Sequence, residues 1–338
     1  MMTAYFVGGD IGGTKTLLRA VEWREGNAKV RFERRYENRE FLSFSDVLRD
    51  FLGATSSLDM TTPLSACFAV AGPVTEQGIR LTNLPWLMNA RTLEREFAIP
   101  AVKLINDFEA VALSVEVLTP DDLTALQKGT PYANGVRVTL GAGTGMGVAW
   151  LIWQGSRYIP LPTEAGHMDF APTNELQFRL LGHLRGQFGH VSVERILSGP
   201  GLVNVFNFLS YEGAGTENRA HTPLQSDEAT QVSDLAFNQG HPVAMKAIDL
   251  FVEIYGAYAG NLALGGFCRG GVYVAGGIAP KIIGKLQEGG FMKAFREKGR
   301  FSSLMGEIPV HVVMNPHAGL MGAAEEAKRM LNLGPGRE

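Results

Sequence analysis

The chain has 338 residues, 45% hydrophobic and 19% charged, which suffices for two compact domains with real cores and excludes a fibrous or disordered protein. Its 31 basic against 34 acidic side chains leave a formal net charge of −3, so no global field favours nucleic acid or an anionic membrane as partner. The amino end lacks the basic and apolar regions of a secretory signal, and the longest apolar stretch, 242–264, carries Lys246, Asp249 and Glu253; a cytoplasmic protein with a buried helix there is expected. Cys67 and Cys268, far apart and in apolar surroundings, read as core thiols rather than as a zinc site or a disulfide.

In chain order, a short apolar run at 5–7 ends at glycine, and a second extended segment is expected at 17–23. In "KVRFERRYE", 29–37, Val30, Phe32, Arg34 and Tyr36 alternate with charged residues, the period of a strand with one wet face. Phe44, Val47, Leu48, Phe51 and Leu52 recur at helical spacing, with Ser43 or Ser45 available as cap. A buried strand follows at 64–72, then a helix near 91–97, a strand at 101–107 and a helix at 108–118. Three successive strands at 136–143, 147–153 and 156–162 repeat the opening pattern. Helices at 175–188, 200–211 and 242–264 and strands at 271–278 and 309–315 complete the chain, and the polar segment 212–231 reads as an exposed loop. Each half thus holds a strand hairpin with a glycine turn, and two similar domains facing each other across a cleft are expected.

The two glycine loops are the first chemical signal, because backbone N–H groups without a Cβ in the way can approach an anion. "GGDIGGTK" is not a Walker A loop: Thr14, not glycine, precedes Lys15, and the following residues read as a strand. "GAGTGMG" does not fit the dinucleotide fingerprint, since the third glycine position falls on Met146 or Val148. What remains is a pair of strand-turn-strand loops, one with Asp10 and one with Thr144, able to grip a polyphosphate and its magnesium, or else two ordinary tight hairpins. Asp10 suits a water-mediated Mg²⁺ ligand, since that ion keeps much of its hydration shell.

The second signal is polar. Asn106 and Asp107 close an apolar strand and open a helix, where they suit ligand binding, helix capping or both. Glu164 and His167 stand three residues apart in "PTEAGHMDF", and Glu194 lies in "HVSVERILSGPG". Soft ligands for zinc are absent beside His167, and Mg²⁺ suits phosphate chemistry better.

"GDIGGT" (9–14), "LINDFEAVA" (104–112), "GAGTGMGVA" (141–149), "EAGHMDFAP" (164–172), "GHVSVERILSGPGLVN" (189–204) and "VAGGIAPK" (274–281) follow the order and spacing of bacterial glucokinases, which the chain resembles over nearly its whole length. The resemblance implies an α/β fold of two ribonuclease H-like, actin-like ATPase domains: a small one over 1–117 completed by 312–338, and a large one over 118–311. It further implies a homodimeric, cytoplasmic ATP:glucose 6-phosphotransferase with Mg²⁺, and no nucleic-acid or membrane partner. By the same resemblance Asn106, Asp107, Glu164, His167, Glu194 and Gly145 would contact glucose, and Asp107 is expected to act as general base, accepting the proton of the sugar 6-hydroxyl. Gly9, Asp10, Ile11, Gly12, Gly13, Thr14, Gly143, Thr144, Gly276 and Gly277 would form the nucleotide site, with Asp10 holding Mg²⁺ through water. Lys15 stands where many of these glucokinases have asparagine, so "DIGGTK" also resembles the ROK sugar kinases, and "TEAGH" replaces the more frequent "GEGGH". A kinase for another hexose or an N-acetylhexosamine, and a non-catalytic sugar or nucleotide sensor, are the alternatives.

Overall fold

A computed structural model describes residues 5–24, 27–58, 60, 62–72, 75, 78–81, 84–213 and 223–332. In chain order its elements are β1 (Tyr5–Ile11), β2 (Lys15–Arg24), β3 (Asn27–Glu37), α1 (Phe44–Ser56), β4 (Ser65–Val70), the short pair β5 (Ile79–Arg80) and β6 (Leu87–Met88), α2 (Ala90–Phe97), β7 (Val102–Asn106) and α3 (Asp107–Ser114). There follow β8 (Leu123–Gln127), β9 (Arg137–Ala142), β10 (Met146–Gln154), β11 (Arg157–Thr163), α4 (Glu175–Phe188), α5 (Gly199–Gly213), α6 (Ala229–Phe237) and α7 (Pro242–Gly265). β12 (Gly271–Ala275), α8 (Ile283–Gln287), α9 (Gly290–Arg296), α10 (Ser302–Glu307), β13 (Val310–Val313) and α11 (Ala318–Asn332) complete the order. The chain divides into two compact units, one of Met1–Thr119, Tyr158–Pro162 and Asn315–Glu338, the other of Pro120–Arg157 and Thr163–Met314.

In the first unit the strand order is β3-β2-β1-β4-β7. β1 and β2 form an antiparallel hairpin, β3 extends it, and β1, β4 and β7 run parallel. Ala66, Phe68 and Val70 face a core with Phe44, Val47, Leu48 and Phe51 of α1, while Cys67 and Ala69 face Ala110 and Leu113 of α3 and Ala323, Ala324 and Ala327 of α11. Helices on both faces explain why β4 reads as an unbroken apolar run rather than an alternation. Of the two candidate caps of α1, Ser43 is the one used, accepting the Asp46 N–H at 3.2 Å. Within this unit the Arg329 guanidinium donates to the Tyr158 carbonyl at 3.0 Å, which ties Tyr158–Pro162 to α11.

The second unit repeats the plan. β10 and β9 form an antiparallel hairpin, β12 and β13 lie parallel to β9, and β8 pairs antiparallel to β13. α7 is the central helix of this core, with Ile248, Phe251, Ile254, Tyr255 and Ala259 buried. Its charges leave the core or find partners: Lys246 and Asp249 are exposed, and the Glu253 carboxylate accepts hydrogen bonds from Asn174 and Gln177, both at 2.7 Å. No helix among the described residues is long and apolar enough to cross a membrane. Cys67 and Cys268 are buried free thiols.

The differences from the sequence expectations are local. The segment 212–231, expected as loop, holds the end of α5 and the start of α6, with 214–222 outside the described residues. β8 and α11 lack strong periodic signals: β8 mixes threonine and glutamine with its leucines, and α11 buries alanines. The α11 stripe of small residues permits close packing instead. A Cβ added at Gly322 would lie 1.7 Å from the Ala110 carbonyl oxygen of α3. Gly322→Ala must therefore push α11 from α3, at a cost of roughly 1–3 kcal/mol. Thermal denaturation is expected to show a clearly lowered midpoint, and an unchanged one would mean that the two helices are not held at this spacing.

Candidate active site

In the first unit the site begins where three parallel strands end. Ile11 of β1 and Asn106 of β7 both register with Val70 of β4, so Asp10 and Asp107 stand at one sheet edge, about 10 Å apart in strand spacings. Gly9 is buried within β1, Asp10 is half-buried, and Ile11 is buried. Beyond it the chain turns at Gly12, Gly13 and Thr14, closed by the Gly12 N–H donating to the Lys15 carbonyl at 2.9 Å, with Thr14 exposed at the tip.

This turn is braced by a residue that sequence reasoning passed over. Asn38, 1% exposed, donates from its side chain to the Gly12 carbonyl at 2.8 Å and from its backbone to the Thr14 carbonyl at 2.9 Å. Its amide oxygen accepts the Thr16 hydroxyl at 2.8 Å. Between Glu37 and Arg39 it reads locally as a surface turn, and no signal within the segment marks it.

α3 is positioned by its cap. The Asn106 amide oxygen accepts the Phe108 N–H at 2.8 Å and the Glu109 N–H at 3.3 Å, and its nitrogen donates to the Gly72 carbonyl at 3.1 Å. Asp107 is then the first helical residue, with Oδ1 accepting the Phe108 N–H at 2.8 Å, at the end of the helix that favours negative charge. Asp10 lies against the first turn of α11, where a Cβ on Gly319 would be 3.2 Å from its Oδ2. Burial, and then the charge of Asp107, push the Asp10 carboxyl up to about 6.

In the second unit the corresponding edge carries two glycine turns. The Gly143 N–H donates to the Gly145 carbonyl at 2.8 Å, leaving Thr144 exposed at the tip, and the Gly199 N–H of α5 donates to the Gly143 carbonyl at 2.8 Å. The amino end of a 15-residue helix thus reaches the loop, a setting that suits an anion. Ala275 of β12 registers with Gly141 of β9, which sets Gly276 and Gly277 beside the first turn. Gly276 has φ of +80°, and a Cβ there would meet the Ala142 carbonyl oxygen at 2.5 Å; Gly277 is exposed with open space around it.

The sugar candidates of this unit converge on Met146. Glu194, half-buried in the turn Val193–Arg195, accepts the Met146 N–H through Oε2 at 2.8 Å. A Cβ at Gly145 would lie 2.6 Å from the same oxygen, so a side chain there would displace the Glu194 carboxylate. The turn Ala165–His167 rests on the other side of Met146: a Cβ on Gly166 would be 2.1 Å from its carbonyl oxygen. The Val193 N–H donates to the Met168 carbonyl at 2.9 Å and joins the two turns, and Glu164 and His167 are exposed on the first of them. Thus Asp10, Asn106, Asp107 and the loop 9–14 gather on one unit, and the loop 143–145, Glu164, His167, Glu194, Gly276 and Gly277 on the other.

The raised carboxyl of Asp10 has a consequence for stability. An acid whose folded pKa lies above its unfolded value binds an extra proton on folding between the two, so stability falls as pH rises from the ordinary aspartate value to about 6 and stays reduced above it. With a chelator present, Asp10→Asn should raise the melting temperature at pH 8 and leave it unchanged near pH 3; an equal effect at both would contradict the assignment.

The family model described as glucokinase matches residues 7–330. A glucokinase of Synechocystis sp. is 41% identical over 347 aligned positions, covering 96% of this chain and 98% of the relative. One of Nostoc punctiforme is 38% identical, covering 95% and 98%. The crystal structure of a glucokinase from an Antarctic psychrotroph superposes with a TM-score of 0.87 at 28% identity over 96% of this chain and 99% of that one, and its class is the two-domain actin-like ATPase fold. Together with the repeated hairpin-and-parallel-strand plan, these similarities establish that the chain belongs to the glucokinase family.

Proposed function

We propose that this chain transfers the γ-phosphoryl group of ATP to the 6-hydroxyl of glucose, with Asp107 as general base. The observation that carries the reading is the position of Asp107 in the first turn of α3, capped in place by Asn106 and on the same sheet edge as the loop 9–14. The Asp107 carboxylate accepts the hydroxyl proton as the sugar oxygen attacks the γ-phosphorus; the bond from that phosphorus to the bridging oxygen breaks and ADP departs. Such a transfer depends on positioning and charge stabilisation more than on covalent chemistry.

Glu194, Glu164, His167, Asn106 and the backbone at Gly145 would bind the remaining hydroxyls. A sugar lacking one of them leaves a polar group unpaired, which is how such a site discriminates. The nucleotide phosphates would lie on the backbone donors at Gly12, Gly13 and Thr14 and at Gly143 and Thr144, beside Gly276 and Gly277. Two half-buried carboxylates, with the charge of Asp107 disfavouring that of Asp10, form a hard oxygen donor set suited to Mg²⁺, with Asp10 holding it through water. When bound, Mg²⁺ supplies charge neutralisation at the phosphates. The motif resemblance also supports a cytoplasmic homodimer, and sedimentation equilibrium is expected to give twice the chain mass.

Asp107→Asn keeps the shape and removes the base. Turnover in a coupled ADP assay should fall by roughly 10² to 10⁴ with an unchanged circular dichroism spectrum, and a wild-type rate would remove Asp107 from the chemistry. Glu194→Gln can still accept the Met146 N–H, so it should weaken glucose binding without unfolding the loop; calorimetry finding unaltered glucose affinity would take Glu194 out of the site. A panel of hexoses and N-acetylhexosamines in the same assay measures how far glucose is preferred.

A further inference from the structure

Helix α7 carries two tyrosines three residues apart, hence on one face, and each hydroxyl reaches a backbone group inside the elements just described. The Tyr255 hydroxyl accepts the Ala142 N–H at 3.1 Å. The Tyr258 hydroxyl donates to the Ala165 carbonyl at 2.7 Å. Ala142 is the residue from which both glycine turns hang: Gly143 follows it directly, and its own carbonyl accepts the Ile278 N–H at 3.2 Å, just past Gly276 and Gly277. Ala165 lies between Glu164 and His167.

We propose that Tyr255 and Tyr258 are positioning residues for the two substrates, Tyr255 setting the height of the nucleotide turns and Tyr258 that of the sugar-binding turn. The inference rests on the reading above, in which the loop 143–145 takes ATP and the turn at 164–167 takes glucose.

Both anchors are stiff. Tyr255 is fully buried, its ring packed edge-on between Phe251 at 5.8 Å and Phe291 at 5.7 Å, so the hydroxyl cannot swing away from Ala142. Lys298 donates to the Ala257 carbonyl at 3.0 Å, fixing the helix between the two tyrosines. Behind the sugar turn lies a cavity of about 330 Å³ lined by Met168, Phe170, Val193, Ile254 and Tyr258, not close-packed core. On that side the Tyr258 hydrogen bond and the backbone bond from Val193 to Met168 hold the turn, while on the other Gly166 rests on the Met146 carbonyl and the Ala165 N–H donates to the Thr163 hydroxyl at 3.2 Å. Burial pushes both phenols above their ordinary value, so both hydroxyls keep their protons at neutral pH.

The test compares Tyr255→Phe and Tyr258→Phe with wild type in steady-state kinetics in which ATP and glucose are each varied, with melting curves alongside. Phenylalanine keeps the ring and removes only the hydroxyl. Tyr258→Phe should raise KM for glucose about 3- to 10-fold and leave KM for ATP within about 2-fold, and Tyr255→Phe should do the reverse; this is the size expected for one hydrogen bond. Equal shifts in both constants, no shift in either, or failure of the Phe variants to fold would each overturn the positioning role. Glu164→Gln and Thr144→Val serve as controls for the underlying assignment. If these leave both constants unchanged, the site reading itself fails; if they shift KM for glucose and for ATP respectively while the Phe variants do not, only the present inference fails.

Discussion

Asp10 and Asp107 share one end of a parallel sheet, with β4 between the strands that carry them, and the charge of Asp107 makes that of Asp10 harder to hold. Carboxylates are kept in that arrangement only by a scaffold that fixes both backbones. Here the scaffold is specific: Asn106 caps α3 and so decides where Asp107 begins, while α11 closes over Asp10 through Gly319. The amino ends of two helices and the N–H groups of a tight turn surround the same edge, and all of them favour anions.

The second unit solves a different problem, that of presenting exposed polar side chains in fixed positions. Glu164 and His167 stand on a short turn and Glu194 on another, and neither turn belongs to a sheet. Met146 unites them, binding the Glu194 carboxylate through its N–H and supporting Gly166 at its carbonyl. Because Met146 also starts β10, the sugar candidates are held to the same hairpin that forms the glycine loop.

Much of this was legible locally. The glycine hairpin 9–14, the buried strand leading to Asn106 and Asp107, and the capping role weighed for Asn106 all appear where turn chemistry and periodicity put them. Asn106 proves to be a cap, which leaves its assignment to the sugar resting on its nitrogen, one bond of which already goes to Gly72. α11 escaped notice because a stripe of alanine and glycine has weak hydrophobic contrast, although that smallness is what lets it touch β1 and α3. Asn38 escaped because nothing near it in the chain shows that its partners are the glycine turn.

What the amino-acid order alone determined is the set of local devices: two strand-turn-strand loops rich in glycine, a strand-to-helix junction bearing an acid, and an apolar helix whose charges argue against a bilayer span. These depend on neighbours a few residues away, so steric and capping rules read them directly. Only the tertiary structure decided that Asn38 braces a turn 26 residues before it, that Tyr255 and Tyr258 reach backbone groups 113 and 93 residues distant, and that Tyr158–Pro162 belongs with the first unit. Such pairings arise when burial forces each polar group to find a partner wherever the fold brings one, and chain separation carries no trace of that choice.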